Sequence, residues 1–298
     1  MVNGTNRPIV VGVDGSTSAA QAARWAAREA ARRSAPLVIV HASAPVPVAV
    51  PHAMALGPYR HALEEQGRQW LAEATAAVKE TAPDVMVSTE LSIGGAAEQL
   101  IGRSASAELV ALGSRGLGGF TGLMVGSIAA AVATHGHCPV VVVRGADAQT
   151  EPRQDGPVVV GMDGSPASQA AVPFAFEAAS SRDAPLVAVH AWSDLPIATV
   201  WDLAADWGAI EQQETKLLAQ WLAEYQTQYP DVPVEQVVAR DRPAHILLDH
   251  AKSAQLVVVG SRGRGGFRGL LLGSTGQALI YHAACPVAVV PPRSPVAG

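Results

Sequence analysis

GSRGLGGFTGLMVGS, residues Gly113–Ser127, returns almost unchanged as GSRGRGGFRGLLLGS, residues Gly260–Ser274. Both copies follow an apolar run and precede a helix-like stretch, so the chain carries two glycine-rich loops, each suited to an anion. Working outward, VVGVDGS at Val10–Ser16 matches VVGMDGS at Val159–Ser165. LVIVHAS at Leu37–Ser43 matches LVAVHAW at Leu186–Trp192, and HCPVVVV at His137–Val143 answers ACPVAVV at Ala284–Val290. The markers recur at a spacing of about 150 residues, which makes the chain a tandem pair. Each half is long enough to bury its own core. The expected domains are 1–146 and 155–298, and the polar stretch Gly145–Gly156, with neither strand nor helix periodicity, reads as the linker.

The first half is read as strand Pro8–Val13, helix Thr17–Arg33, strand Leu37–His41, helix Tyr59–Thr81, strand Val85–Leu91, helix Ala96–Ala105, strand Leu109–Gly113, helix Ser127–His135 and strand Val140–Val143. The second repeats the order, with strands at Val158–Met162, Leu186–His190, Val234–Ala239, Leu256–Gly260 and Val287–Val290. Short Val/Ile/Leu strands alternating with helices imply a mainly parallel α/β sheet covered on both faces. Ligands of such sheets sit beyond the carboxyl ends of the strands, where the winding reverses. Asp14 and the Gly113 loop stand at such ends, as do Asp163 and the Gly260 loop.

Composition narrows the function classes. Hydrophobic residues make up 49% and charged residues 16%, as expected for buried parallel strands under alanine-rich helices in a soluble, cytoplasmic protein. A net charge of −5 argues against a general nucleic-acid binder. No apolar run approaches the roughly 20 residues that span a bilayer, and the opening MVNGTNRPIV does not read as a secretion signal. The two cysteines occupy equivalent places and read as buried thiols.

After its fourth strand each half reads G-x-x-G, nine residues, then G-S: Gly113, Gly116, Gly126 and Ser127, and again Gly260, Gly263, Gly273 and Ser274. Glycine lets backbone amides converge on an anion at close range. The following helix start favours a phosphate through its unpaired N–H groups and dipole, and a serine there can cap the helix or donate to a phosphate oxygen. Asp14 and Asp163, ending the first strand of each half, suit ribose hydroxyls or a divalent cation beside phosphates. The same glycines also serve to shape turns and the same aspartates to cap helices, and the residues alone leave both readings open. A P-loop, a dinucleotide fingerprint after strand one and a HIGH-type synthetase motif are absent.

With these residues the chain resembles a tandem universal stress protein of the ATP-binding, actinobacterial type, whose subclass motif is G-2x-G-9x-G-[S/T]. The resemblance covers the whole chain. It implies two doubly wound domains with an adenine nucleotide alpha hydrolase-like fold, each a five-stranded parallel sheet in the order 3-2-1-4-5. One ATP per domain, with Mg2+, would lie against Gly113, Gly116, Gly126 and Ser127, with Asp14 facing the nucleotide and the backbone at Ala42 meeting the adenine. In the second domain Gly260, Gly263, Gly273, Ser274, Asp163 and Ala191 take those places. Members of the family also pair through the last strand, which suggests that Val140–Val143 and Val287–Val290 join the halves. Similar tandem proteins slow growth under stress.

The function expected is therefore a nucleotide-gated regulator of stress response or growth, a homodimer acting on an unidentified protein partner, with slow ATP hydrolysis at most. No catalytic residue and no metal ligand set is assigned, because the loops offer neither a lysine nor a paired carboxylate for phosphoryl chemistry. A true ATPase, a nucleotidyl or phosphoryl transferase and a nucleotide-free interaction module are the alternatives. His135, His137 and Cys138 read as a turn with a buried thiol, and His41 and His190 as hydrogen-bonded core imidazoles. Trp201, Trp207 and Trp221 read as packing residues. Arg115 and Arg262, inside the loops, read equally well as phosphate contacts and as solvated side chains.

Overall fold

The computed structural model describes residues 7–43, 56–117, 125–145, 150–192, 206–264 and 272–292. The chain divides into two units, Met1–Glu151 and Pro152–Gly298. Trp201, the middle of each glycine-rich loop and part of the linker stretch lie outside the described residues.

The first unit runs β1 (Ile9–Gly12), α1 (Thr17–Arg33), β2 (Leu37–Ser43), α2 (Leu56–Thr81), β3 (Val87–Ile93), α3 (Ala96–Ser104), β4 (Leu109–Gly113), α4 (Ser127–His135) and β5 (Val140–Val143). Its strands lie parallel in the order β3-β2-β1-β4-β5. The second unit runs β6 (Val158–Met162), α5 (Pro166–Ser180), β7 (Leu186–Ala191), α6 (Trp207–Gln228), β8 (Val234–Ala239), α7 (Pro243–Ala251), β9 (Leu256–Gly260), α8 (Ser274–His282) and β10 (Val287–Val290). Its parallel order, β8-β7-β6-β9-β10, is the same. Helices α1 and α2 pack together on one face of the first sheet and α3 and α4 on the other, with α5/α6 and α7/α8 in the same places in the second unit. Each unit is thus the doubly wound α/β sheet that alternating short strands and helices require.

Strands β1, β4 and β5 are buried along their whole length or nearly so, as a strand covered on both faces must be, and this is why they read as apolar runs rich in Val, Ile and Leu. Helix α1 is nucleated by Ser16, whose Oγ accepts the Ala19 amide, and stops at Ser34, which takes a left-handed conformation with φ 51°. Its alanines make a face flat enough to lie close on the sheet. Glu151, within the linker stretch, returns to this helix and pairs with Arg24 and Arg28.

Strand β3 begins two residues later than the apolar pattern suggests. Val85 is buried, but in a turn: its amide donates to Ala82 O at 3.3 Å and its carbonyl accepts Lys79 Nζ at 2.8 Å. The Pro83–Asp84 turn consumes the residues that would have extended the strand. Both cysteines are buried and free, and burial pushes the Cys138 thiol up to about 12. Among the described residues, no helix is long and apolar enough to cross a membrane.

Candidate functional site

The winding reverses between β1 and β4, and between β6 and β9, so the first and fourth strands of each unit open a crevice at their carboxyl ends. Asp14 follows β1. Its Oδ1 accepts the amide of Ser16 at 3.0 Å and its Oδ2 accepts the amide of Leu117 at 3.0 Å. The carboxylate therefore clasps the β1–α1 turn to the glycine-rich loop. Asp163 does the same, accepting the Ser165 amide at 2.9 Å and the Arg264 amide at 2.8 Å. Capping of α1 and α5 belongs instead to Ser16 and Ser165, whose hydroxyls also donate to the loop carbonyls of Arg115 and Arg262 at 3.2 Å. Burial, the largest influence on Asp163, pushes its carboxyl up. Hydrogen bonds from Ser165, Ser168 and Arg264 outweigh it and hold the group below its ordinary value.

The four pattern positions of each loop divide by physical reason. A Cβ on Gly113 would stand 2.6 Å from the Ser18 carbonyl carbon, and one on Gly116 would stand 2.5 Å from Asp14 Oδ2. Those glycines are demanded by packing, and Gly260 and Gly263 meet the same obstacles at Ala167 and Asp163. Gly126 is different. It caps α4 with an ordinary φ of −71°, and its nearest neighbours lie 3.8 Å from where a Cβ would be. Gly273, capping α8, has φ −67° and a nearest neighbour at 3.6 Å. Among the described residues, neither a close neighbour nor the backbone conformation requires glycine here. Because glycine has no side chain to cap with, the first-turn amides after Gly126 and Gly273 gain no side-chain partner from the cap. Ser127, an exposed first helical residue, does not cap α4.

The base of each crevice is an imidazole. His41 Nδ1 lies 2.8 Å from Val13 O, and His190 Nδ1 lies 2.8 Å from Met162 O, both rings buried. A tryptophan meets each edge-on, Trp70 at 5.0 Å and Trp221 at 5.4 Å between ring centres. Gly15 and Gly164, with φ of 83° and 75°, take a left-handed turn directly beneath these indoles, where no side chain would fit. Ala42 and Ala191 stand one residue beyond the histidines at the carboxyl ends of β2 and β7, half-buried beside Ser92 and Ala239. Arg115 and Arg262 are exposed.

Residues to which the sequence reading gives no site role complete the crevices, and they differ between units. Glu214 Oε2 stands 2.9 Å from His190 Nε2, whereas His41 Nε2 faces Ser43 Oγ at 3.4 Å. Trp192 stacks on Trp207 at 5.6 Å, and the Arg240 guanidinium lies 3.7 Å above the Trp207 ring. In the first unit Ser43 and Ile93 occupy the strand positions of Trp192 and Arg240. Aligning the halves residue by residue, instead of motif by motif, is the signal that would have exposed Trp70 and these replacements and matched Trp70 with Trp221, which reads from sequence as a packing residue. Among the described residues, no three His, Cys, Asp or Glu side chains stand close enough to share a metal ion.

This fold is shared with known proteins. The profile of the Universal stress protein family matches residues 5–144 and 156–291, and the chain belongs to that family as a tandem of two domains. It is 42% identical over 298 residues to a universal stress protein of Mycolicibacterium smegmatis, covering 97% of this chain and 98% of that one. A universal stress protein of Mycobacterium tuberculosis is 41% identical over 287 residues, covering 94% and 96%. A crystal structure of a universal stress protein from Archaeoglobus fulgidus superposes with a TM-score of 0.70 at 17% identity, covering 97% of this chain and all of that one, a likeness of fold alone.

Proposed function

We propose that each unit binds one adenine nucleotide and that occupancy gates a regulator of stress response or growth. The first-turn amides behind Gly126 and Gly273, with Ser127 and Ser274, take the phosphates, and Mg2+ accompanies them. Asp14 and Asp163 face the ribose, and Ala42 and Ala191 face the adenine. One observation supports this reading: among the described residues neither a close neighbour nor φ calls for glycine at each helix cap, and that glycine gives the helix start no side-chain cap. Uncapped amides and the helix dipole favour an anion at such a place.

Neither fifteen-residue loop contains a lysine or a carboxylate. Such a loop holds a phosphate chain without positioning an attacking water, so hydrolysis is slow at most. Binding is read out by a changed surface offered to a protein partner, with the chain acting as a homodimer. Native mass spectrometry of protein purified from cells tests the core of the reading, with two nucleotides per chain expected. A ligand at about 100 times its Kd stabilises by roughly 2.7 kcal/mol, so millimolar Mg-ATP should raise the melting temperature. No bound nucleotide and no shift would leave the loops as braces of the sheet. The packing roles of Gly113 and Gly116 favour that second reading.

A further inference from the structure

We propose that Arg264 makes the second cradle selective for the charge of the phosphate tail, so that the two units, alike in backbone, prefer different members of the same ligand class. The inference rests on the nucleotide reading above and adds to it an inequality between the sites.

The two fifteen-residue loops match letter for letter at the glycines and serines but not in charge. Gly113–Ser127 contains one cation, Arg115, whereas Gly260–Ser274 contains three, Arg262, Arg264 and Arg268. The decisive pair is Leu117 and Arg264. Their amides donate to the same carboxylate oxygen of the matching aspartate, at 3.0 and 2.8 Å, so their side chains leave the backbone at the same station of the cradle. Leu117 is 60% exposed, an apolar side chain on the rim of a site read as taking an anion, and the exposed Ile128 lies just inside α4. Thr275 replaces Ile128 in the second unit.

Arg264 is an exposed residue, like Leu117, but its guanidinium leans back over the crevice. Its guanidinium lies 5.7 Å from the centre of the Trp221 ring, and a Cβ on Gly164 would stand 2.5 Å from its Nη2. The cation is thus parked on the wall of the crevice, at the end of β6 beside Asp163. Among the described residues no carboxylate forms an ion pair with it. A cation resting on a partly exposed indole is held weakly, and its planar fork suits two phosphate oxygens at once. Charge on the ligand then decides the gain: a triphosphate offers more oxygens and more charge than a monophosphate, while Leu117 offers nothing to either.

The full chain is used throughout. Gly126→Ala blocks the first cradle and Gly273→Ala the second, each lowering the nucleotide count by one, and Mg-ATP and AMP are titrated calorimetrically into both. With only the second cradle open, the ratio of AMP to ATP dissociation constants is expected to be about tenfold larger than with only the first. Adding Arg264→Leu should collapse that ratio to the first cradle's value by weakening ATP and sparing AMP, and Leu117→Arg should raise it in the first. Arg264→Leu installs the first unit's own residue, so the loop backbone has a precedent for it. Equal ratios in the two cradles, or an Arg264→Leu that weakens ATP and AMP alike, would overturn the inequality and leave nucleotide binding standing. Absence of binding at both cradles of the unsubstituted chain would remove both readings together.

Discussion

Asp14 Oδ2 accepts the amide of Leu117, 103 residues away, at 3.0 Å, while Oδ1 of the same carboxylate accepts the amide of Ser16. One side chain thereby holds the start of α1 and the glycine-rich loop in register. Asp14→Ala leaves both amides seeking water and frees the loop. We expect a loss of about 1–2 kcal/mol, since each bond to a charged acceptor is worth more than a neutral one but this group is only half-buried. The sheet should persist by circular dichroism, and the urea midpoint should fall. Paired with Asp163→Ala, the change should also weaken ATP binding in calorimetry, because an unclasped loop must be ordered at the ligand's expense. A double variant that binds as tightly as the parent would remove the clasp from the site.

Gly116 and Gly126 lie in one motif, yet alanine should affect them in opposite ways. At Gly116 the added methyl meets Asp14 Oδ2, so Gly116→Ala must break the clasp and should lower stability by more than about 1 kcal/mol. At Gly126 the methyl meets nothing closer than 3.8 Å among the described residues, and the φ of −71° suits any residue. The poorer cap and the stiffer unfolded chain oppose each other, so Gly126→Ala should stay within about 1 kcal/mol of the parent. Its loss should fall on ligand binding instead. Melting curves and titrations of the two variants side by side separate these roles, and equal destabilisation would refute the division.

Folding favours the ionised form of Asp163, whose pKa is held below the ordinary 3.8. Its contribution is complete above that value and drains away as pH falls through the lower native pKa. The stability difference between the parent and Asp163→Ala should therefore be constant from pH 7 to about pH 5 and shrink on further acidification. Urea unfolding of both proteins across that range checks the sign. A difference that widens toward low pH would mean that the native state favours the protonated acid.

Much of this architecture is written locally. Ser127–His135 and Val140–Val143 are bounded by a glycine-serine pair and a proline, so their limits in the chain and in space agree. Val85 shows where local pattern fails, because an apolar residue buried in a turn carries the same letter as one in a strand. The loops fail differently. Gly113 and Gly126 are indistinguishable as letters, and only the approach of Ser18 to one and the space around the other reveal different reasons for glycine. Trp192, Trp207 and Arg240 come from three separate places in the sequence, and no periodicity announces that they stack.

Glu29 presents a stability test that the two halves answer jointly. It is fully buried in α1, 2.6 Å from Arg33 Nε, and Arg33 Nη1 continues to Glu108 at 2.7 Å. At the matching place in α5 the second unit has Ala178, also fully buried, so the fold itself does not need a carboxylate there. Removing Glu29 leaves Arg33 with Glu108 but takes away its buried partner, at a cost of about 1–3 kcal/mol, whereas replacing both members of a buried pair by apolar groups is often nearly neutral. Glu29→Ala alone should therefore unfold at distinctly lower urea, and Glu29→Ala with Arg33→Met should recover much of the loss. A double variant no more stable than Glu29→Ala would show that the network contributes stability in its own right, beyond neutralising a buried charge.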